Sequence, residues 1–311
     1  MRRLWLAVQI LAAAAVAWFV GSSVVKNWGA LRESRGIIHL DPIALAVSAA
    51  IILAAYAFLI SAWRAVLMGW NEKLRYLAAA RIWSLSNLAR YVPGRIWQIA
   101  GMAAMARRAG VSPWAAAGSA VVVQLLAIAT GALVTGIAAP QAGQGILIAA
   151  AGLGAAAVAA FLAWPPAVQL LSQTLVRLTG KEIRIEPVRA GPLLMSMIVT
   201  TLGWIAYGIA LYFFIQGMLG EPLLPLVRCI GVFTASYLVG LIIVFTPGGL
   251  GVREGTMYIL LKEPLGPAAA LVITFGSRIL LTSTELIAAA LAMALTPRLA
   301  AEVRTPESPP A

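Results

Sequence analysis

The sequence predicts an all-α, polytopic membrane protein of about six full transmembrane helices plus two re-entrant helical hairpins. Three observations lead there. Of 311 residues, 61% are hydrophobic and only 11% charged, with a mean hydropathy of +0.91, far outside soluble globular composition. Apolar runs recur that are long enough to cross a hydrocarbon core of about 30 Å as a helix rising about 1.5 Å per residue. Two further apolar stretches are broken by Pro-Gly, at "YVPGR" and "FTPGGLGVREG". A transmembrane β-barrel would alternate over segments of about ten residues, whereas these runs are continuous.

The first run, 4–25, follows Arg2 and Arg3. It is long, lacks a convincing cleavage site and is followed by further spans, so it reads as a retained helix rather than a removed signal. The other full spans fall at 42–63, 114–137, 144–164, 192–215 and 267–293. Basic residues orient them. With the first residues in the cytoplasm, Arg64, Lys73 and Arg75, then Arg107 and Arg108, then Arg177, Lys181, Arg184 and Arg189, and finally Arg298 and Arg304 all lie inside. Lys26, Arg32 and Arg35 in the first outer loop, set against Glu33 and Asp41, run the other way without reversing the balance. The expected location is the cytoplasmic (inner) cell membrane with both termini cytoplasmic. Residues 1–297 form one transmembrane domain, and 298–311 a disordered cytoplasmic tail.

The same sidedness constrains the broken stretches. Between Lys73 and Arg107, residues 78–103 cross an even number of times or merely dip, and are too short for two full crossings. A hairpin entered from the cytoplasm and broken at Pro93 and Gly94 fits. Residues 226–262 form a second, entered from outside and broken at Pro247, Gly248, Gly249 and Gly251. Proline removes a backbone donor and glycine releases the chain from helical geometry, which hydrocarbon tolerates only in protein or beside a polar cavity. Two broken hairpins from opposite faces amount to inverted-topology pseudo-symmetry, an arrangement found in transporters. Simple crossing by either stretch is the alternative.

Six ionisable residues fall in these apolar zones: Arg90, Arg95, Arg253, Glu254, Arg278 and Glu285. A charge near the bilayer centre costs several kcal/mol unless paired or hydrated, so such residues face protein or a cavity. Arg278 pairing with Glu254 or Glu285 would lock the bundle. Four arginines against two glutamates would instead make a positive site, suited to a phosphate. The helix starting near Gly255 would aim free N–H groups at such an anion. Of the aromatics around the breaks, Trp83, Trp97, Tyr237, Tyr258 and Phe245 read as packing or interfacial residues, while Tyr91 is retained as a headgroup contact. Asn87 and Gln98 read as partners for broken backbone, and Gln124 is ambiguous. His39, the only histidine, sits in a loop, and Cys229 is alone. Disulfide frameworks, Cys/His metal clusters and histidine triads are thereby excluded, and no cofactor is expected.

"NLARYVPGRIWQ" followed by "FTPGGLGVREG" resembles the transmembrane-region family of lysylphosphatidylglycerol synthases, along essentially the whole chain. The family's Pro-Gly motif matches Pro247, Gly248, Gly249, Gly251, Arg253, Glu254 and Gly255, and its earlier motif matches Tyr91, Pro93, Gly94 and Arg95. The resemblance implies a flippase-like module in a free-standing form, since these residues show no counterpart of the soluble aminoacyltransferase domain. "RIWQ" replaces the family's small polar residues after the first Pro-Gly, which implies a different headgroup pocket.

The expected function is movement of an anionic lipid or polyprenyl-phosphate-linked substrate between leaflets. Arg253 would be the central ligand, helped by Arg95, Arg278 and Arg90, with Glu254 and Glu285 orienting them. Alternatives are an accessory subunit binding a lipid-modifying enzyme, a membrane-embedded lipid-modifying enzyme, and a transporter of soluble substrates. The net charge of +12 serves orientation in the bilayer rather than nucleic-acid binding.

Overall fold

The computed structural model describes residues 38–91, 96–138, 153–154, 166, 169, 189–242 and 251–295. The expected span 4–25, the span 144–164 apart from 153–154, the tail 298–311, Pro93, Gly94, Arg95, Pro247, Gly248 and Gly249 lie outside them, as does the Tyr91 side chain. The described chain is all-helical. In order it forms α1 (Pro42–Gly69), α2 (Tyr76–Leu88), a 3-10 turn (Ala89–Tyr91), α3 (Ile96–Arg108), α4 (Pro113–Ala138), α5 (Ala190–Leu219), α6 (Leu226–Ile242), α7 (Val252–Leu265) and α8 (Pro267–Leu295). Among the described residues, α1, α4, α5 and α8 are long and apolar enough to cross a membrane. They coincide with four of the six expected spans.

Local chemistry fixes the ends. Asp41 caps α1, its Oδ1 accepting from the Ile43 and Ala44 N–H groups at 2.9 and 3.3 Å. Pro42 at the first helical position lacks a donor the helix would leave unused. α5 stops at Gly220, whose φ of +82° is left-handed. His39 lies in this corner, its N–H donating to Met218 O at 2.9 Å, as expected of a loop residue.

α1 and α5 run antiparallel. Leu45 lies against Gly217, Ser48 Oγ donates to Ala210 O at 2.7 Å, and Leu59 lies against Gly203. α4 joins at the opposite end of α1, where Trp63 Nε1 donates to Ser119 Oγ at 2.8 Å. α8 runs beside α1, linked by the Tyr56–Thr284 hydroxyl pair at 3.1 Å, with Gly276 against Phe214 of α5. Across the bundle α1 and α8 thus run in one direction and α4 and α5 in the other.

The shorter helices fill the space between. α2 packs on α1, with Arg64 Nε donating to Leu74 O at 3.0 Å and the Tyr56 and Trp83 rings 5.5 Å apart. α3 brings the chain back to where α2 set out, since the Ser112 N–H donates to Glu72 Oε1 at 3.1 Å. α6 runs along α5, with Ile230 against Gly208 and Tyr237 against Trp204. Gly208 is required there, because an added Cβ would collide with the Ile230 backbone. α7 packs on α6 and α8 and carries the chain to the start of α8. The main core gathers buried side chains from α1, α4, α5, α6, α7 and α8, among them Leu211, Phe214, Met257 and Ile273. Large apolar side chains such as Ile43, Ile137 and Leu194 face outward, as a lipid-facing surface requires.

Candidate functional site

Five ionisable side chains meet in the interior from three stretches of chain. Arg90 comes from the turn after α2, Arg253 and Glu254 from the first turn of α7, and Arg278 and Glu285 from α8. The two on α8 are seven residues apart and so share a face. Arg253, Glu254, Arg278 and Glu285 are each no more than 5% exposed.

Each has a definable support. Gly251, at φ +85°, starts α7 in a left-handed conformation. Its N–H donates to Glu254 Oε2 at 2.7 Å, so one carboxylate oxygen is spent on the helix N-terminus, where negative charge is favoured. The other, Oε1, lies 3.4 Å from Arg278 Nη1 and 3.8 Å from Arg253 Nη1. Arg253 lies against two aromatics, its guanidinium 5.3 Å from the Phe233 ring centre and 5.8 Å from that of Tyr237, a cation–π arrangement. Its stem fits because residue 240 is glycine, where an added Cβ would sit 3.0 Å from Arg253 Cβ. Arg253 Nε and Nη2 are buried without a hydrogen-bond partner. Arg90 pairs with Glu285 and donates from Nη1 to the Tyr237 hydroxyl at 3.1 Å. That bond joins the end of the α2 unit to α6.

Arg90, Arg253 and Arg278 line one cavity of about 140 Å³. At roughly 10–15 Å³ of such volume per water, it has room for on the order of ten waters. Asn87, Gln98, Gln124 and Tyr237 contribute polar groups to its wall, and Trp63, Trp83 and Trp204 apolar ring surface.

Several expectations are refined by this geometry. Glu285 pairs with Arg90 rather than with Arg278, although it shares a helix with the latter. Gly255 presents no free donor, since α7 starts earlier, at Val252, and the Gly255 N–H is bonded to Gly251 O at 2.8 Å. Asn87 and Gln98 bond to each other, Nε2 of Gln98 to Oδ1 of Asn87 at 3.2 Å. Trp83 and Tyr237 line the cavity, whereas Trp97 is exposed. Trp63, Trp204 and Tyr207 were not indicated by the sequence, because an aromatic within an apolar helix carries no local sign of the cavity it faces. Gln124, a polar residue within a span, was the available signal.

Residues 5–292 match a family described as the lysylphosphatidylglycerol synthase TM region. The chain belongs to that family. No curated protein matches it. The matched span of the synthase TM-region family takes in all five clustered charges, both Pro-Gly motifs and the described bundle except the last three residues of α8. What it describes is the synthase's transmembrane module, not its catalytic domain. Among the described residues no three of His, Cys, Asp and Glu come together as a metal site.

Proposed function

We propose that this protein is a flippase-like transporter that moves an anionic lipid or polyprenyl-phosphate-linked substrate between leaflets. Arg253 is the central phosphate ligand, with Arg278 and Arg90 beside it and Arg95 completing the set. Tyr91 and the glycine backbone at Gly248 and Gly249 border the headgroup, and the acyl or prenyl chain stays in lipid beside a laterally open groove. The carrying observation is that Arg90, Arg253 and Arg278 reach one cavity of about 140 Å³ from three stretches of chain. Taking such charges out of water costs several kcal/mol even when they are paired. Guanidinium groups hold phosphate bidentately, so an anion would relieve that cost.

In this reading α2–α3 and α6–α7 are the two re-entrant hairpins, broken at Pro93–Gly94 and at Pro247–Gly251, entering from opposite faces in an inverted arrangement. The Glu72–Ser112 contact and the antiparallel course of α6 along α5 support it. Residues 1–297 act as one transmembrane domain in the inner cell membrane, with the tail 298–311 and the first residues in the cytoplasm.

A second reading has one observation in its favour. Every described arginine of the cluster has a carboxylate within 4 Å, as a structural lock would require. The protein would then be an accessory subunit for a lipid-modifying enzyme. Reconstitution separates the two: proteoliposomes should exchange a phosphate-bearing lipid between leaflets, and Arg253→Ala should abolish exchange in a folded protein. Unchanged exchange removes Arg253 from the mechanism, and no exchange across anionic lipids favours the accessory role.

A further inference from the structure

One side chain on the cavity wall meets two of the arginines and is not itself among the proposed phosphate ligands. We propose that Tyr237 is the positioning residue that sets Arg90 and Arg253 relative to each other, so that guanidinium groups from two separate stretches of chain meet one phosphate as a preset pair. This rests on the anion-site reading above and adds the residue that organises the site.

The two contacts use different parts of the phenol. Its hydroxyl oxygen accepts from Arg90 Nη1 at 3.1 Å, and its ring centre lies 5.8 Å from the Arg253 guanidinium. Arg90 belongs to the turn after α2 and Arg253 to the first turn of α7, while Tyr237 stands on α6. All three line the cavity. Glu285 holds Arg90 through Nη2, so the two terminal nitrogens of that guanidinium are engaged by different partners. A planar fork held at both tips has its plane fixed as well as its place.

Tyr237 can position others because it is itself held. Its ring meets that of Trp204 edge-on, 5.5 Å away and at 70°. It lies nearly parallel to the rings of Phe233 and Tyr207, at 6.0 and 6.4 Å, and those two stack on each other at 4.9 Å and 8°. Trp204 Nε1 is tied to Ala127 O and Thr130 Oγ1 at 3.1 and 3.2 Å. Tyr207 packs against Tyr56 of α1, with ring centres 6.2 Å apart. A tyrosine has only two side-chain torsions to fix, and here α1, α4, α5 and α6 together fix them.

The consequence is preorganisation. A long side chain that gives up rotamer freedom on gripping a ligand binds it more weakly. Arg90 and Arg253 give up that freedom before the ligand arrives. The cation–π contact uses none of the N–H donors of Arg253, whose Nε and Nη2 are buried without a hydrogen-bond partner. Placement of such groups matters steeply, since a shift of about 1 Å can cost about a hundredfold.

The test is exchange of a trace of fluorescent phosphatidylglycerol in phosphatidylcholine proteoliposomes, reduced from outside by dithionite, with unlabelled phosphatidylglycerol added in rising mole fraction and phosphatidic acid run in parallel. The half-saturating mole fraction reads affinity, and the maximal rate reads the number of working molecules and their turnover. Tyr237→Phe removes the hydroxyl and keeps the ring. It should raise the half-saturating mole fraction about tenfold, equivalent to about 1.4 kcal/mol, in protein that elutes like wild type. Tyr237→Leu also removes the ring beside Arg253 and should raise it further. A Tyr237→Phe variant that matches wild type overturns the proposal while anion transport stands. So does one whose maximal rate falls with half-saturation unmoved, the mark of a structural role alone. Equal half-saturation in Tyr237→Leu and Tyr237→Phe would mean that the ring does not position Arg253, and the paired arrangement is then wrong. A wild type that exchanges neither lipid removes the anion-site reading and this inference together.

Discussion

Arg253 and Arg278 share one carboxylate oxygen: Glu254 Oε1 lies 3.8 Å from the first and 3.4 Å from the second. Tight charge-assisted bonds run at about 2.7–2.9 Å, so both contacts are loose. The carboxylate's other oxygen is held by the Gly251 N–H at 2.7 Å. Glu254 therefore balances charge between the two arginines, and a phosphate would find donors in Arg253 Nε and Nη2, which are buried without a hydrogen-bond partner.

The first prediction concerns Arg253 itself. Arg253→Lys keeps the charge but loses the planar fork and the stacking on Phe233 and Tyr237. Exchange of an anionic phospholipid should fall by roughly tenfold or more in Arg253→Lys, as expected from losing a buried charge-assisted bond worth about 1.5–3 kcal/mol. Rates in proteoliposomes, with protein quantity matched by size-exclusion chromatography, provide the check.

The Arg90–Glu285 pair should behave as a buried couple. Removing one partner of such a pair costs about 3–5 kcal/mol, whereas replacing both by apolar residues is often neutral. Glu285→Gln should therefore lower the apparent unfolding temperature, and Arg90→Met with Glu285→Met should recover much of the loss. Thermal unfolding in detergent measures both, and additive losses would show that the two residues do not act as a pair.

Gly240 tests position rather than charge. An added Cβ would sit 3.0 Å from Arg253 Cβ, and overpacking of this kind costs about 1–3 kcal/mol. Gly240→Val should displace the Arg253 stem and slow exchange while the protein still elutes as a folded species. Normal exchange would mean that the stem has more freedom than the contact suggests.

Sidedness is tested by cysteine labelling. Single cysteines in 216–224 should react from outside, and those at 177–189 from inside; labelling of both from one face would end the orientation proposed. Native Cys229 is fully buried, so it should add little background in intact membranes.

Much of this architecture was legible because lipid imposes it on the chain. A run such as 192–215 has to be a helix, since hydrocarbon leaves its backbone groups no other partners. The observed α5, Ala190–Leu219, extends a little at each end, because helical bonding continues past the apolar boundary. Arg278 and Glu254 were legible for the converse reason: charges in such runs are costly and need a cause. The Arg278–Glu254 pair was one of the two pairings the sequence offered, whereas the Arg90–Glu285 pair was not indicated. Arg278 and Glu285 share a helix face, yet their carboxylate contacts come from different partners, which depends on how α2 and α7 dock against α8. Trp63 and Trp204 escaped notice because their role depends on Ser119 and Thr130, distant in sequence. Gly255 was misjudged because α7 begins three residues before it, so its N–H is already inside the helix.

The most direct test of the account is a structure of the protein in nanodiscs containing an anionic phospholipid, examined at Arg253. The account predicts headgroup density in the cavity, its phosphate within hydrogen-bonding reach of Arg253 Nη2 and Arg278, and its chains leading out into lipid. A cavity holding only water, with Arg253, Glu254 and Arg278 arranged as they are without ligand, would contradict it.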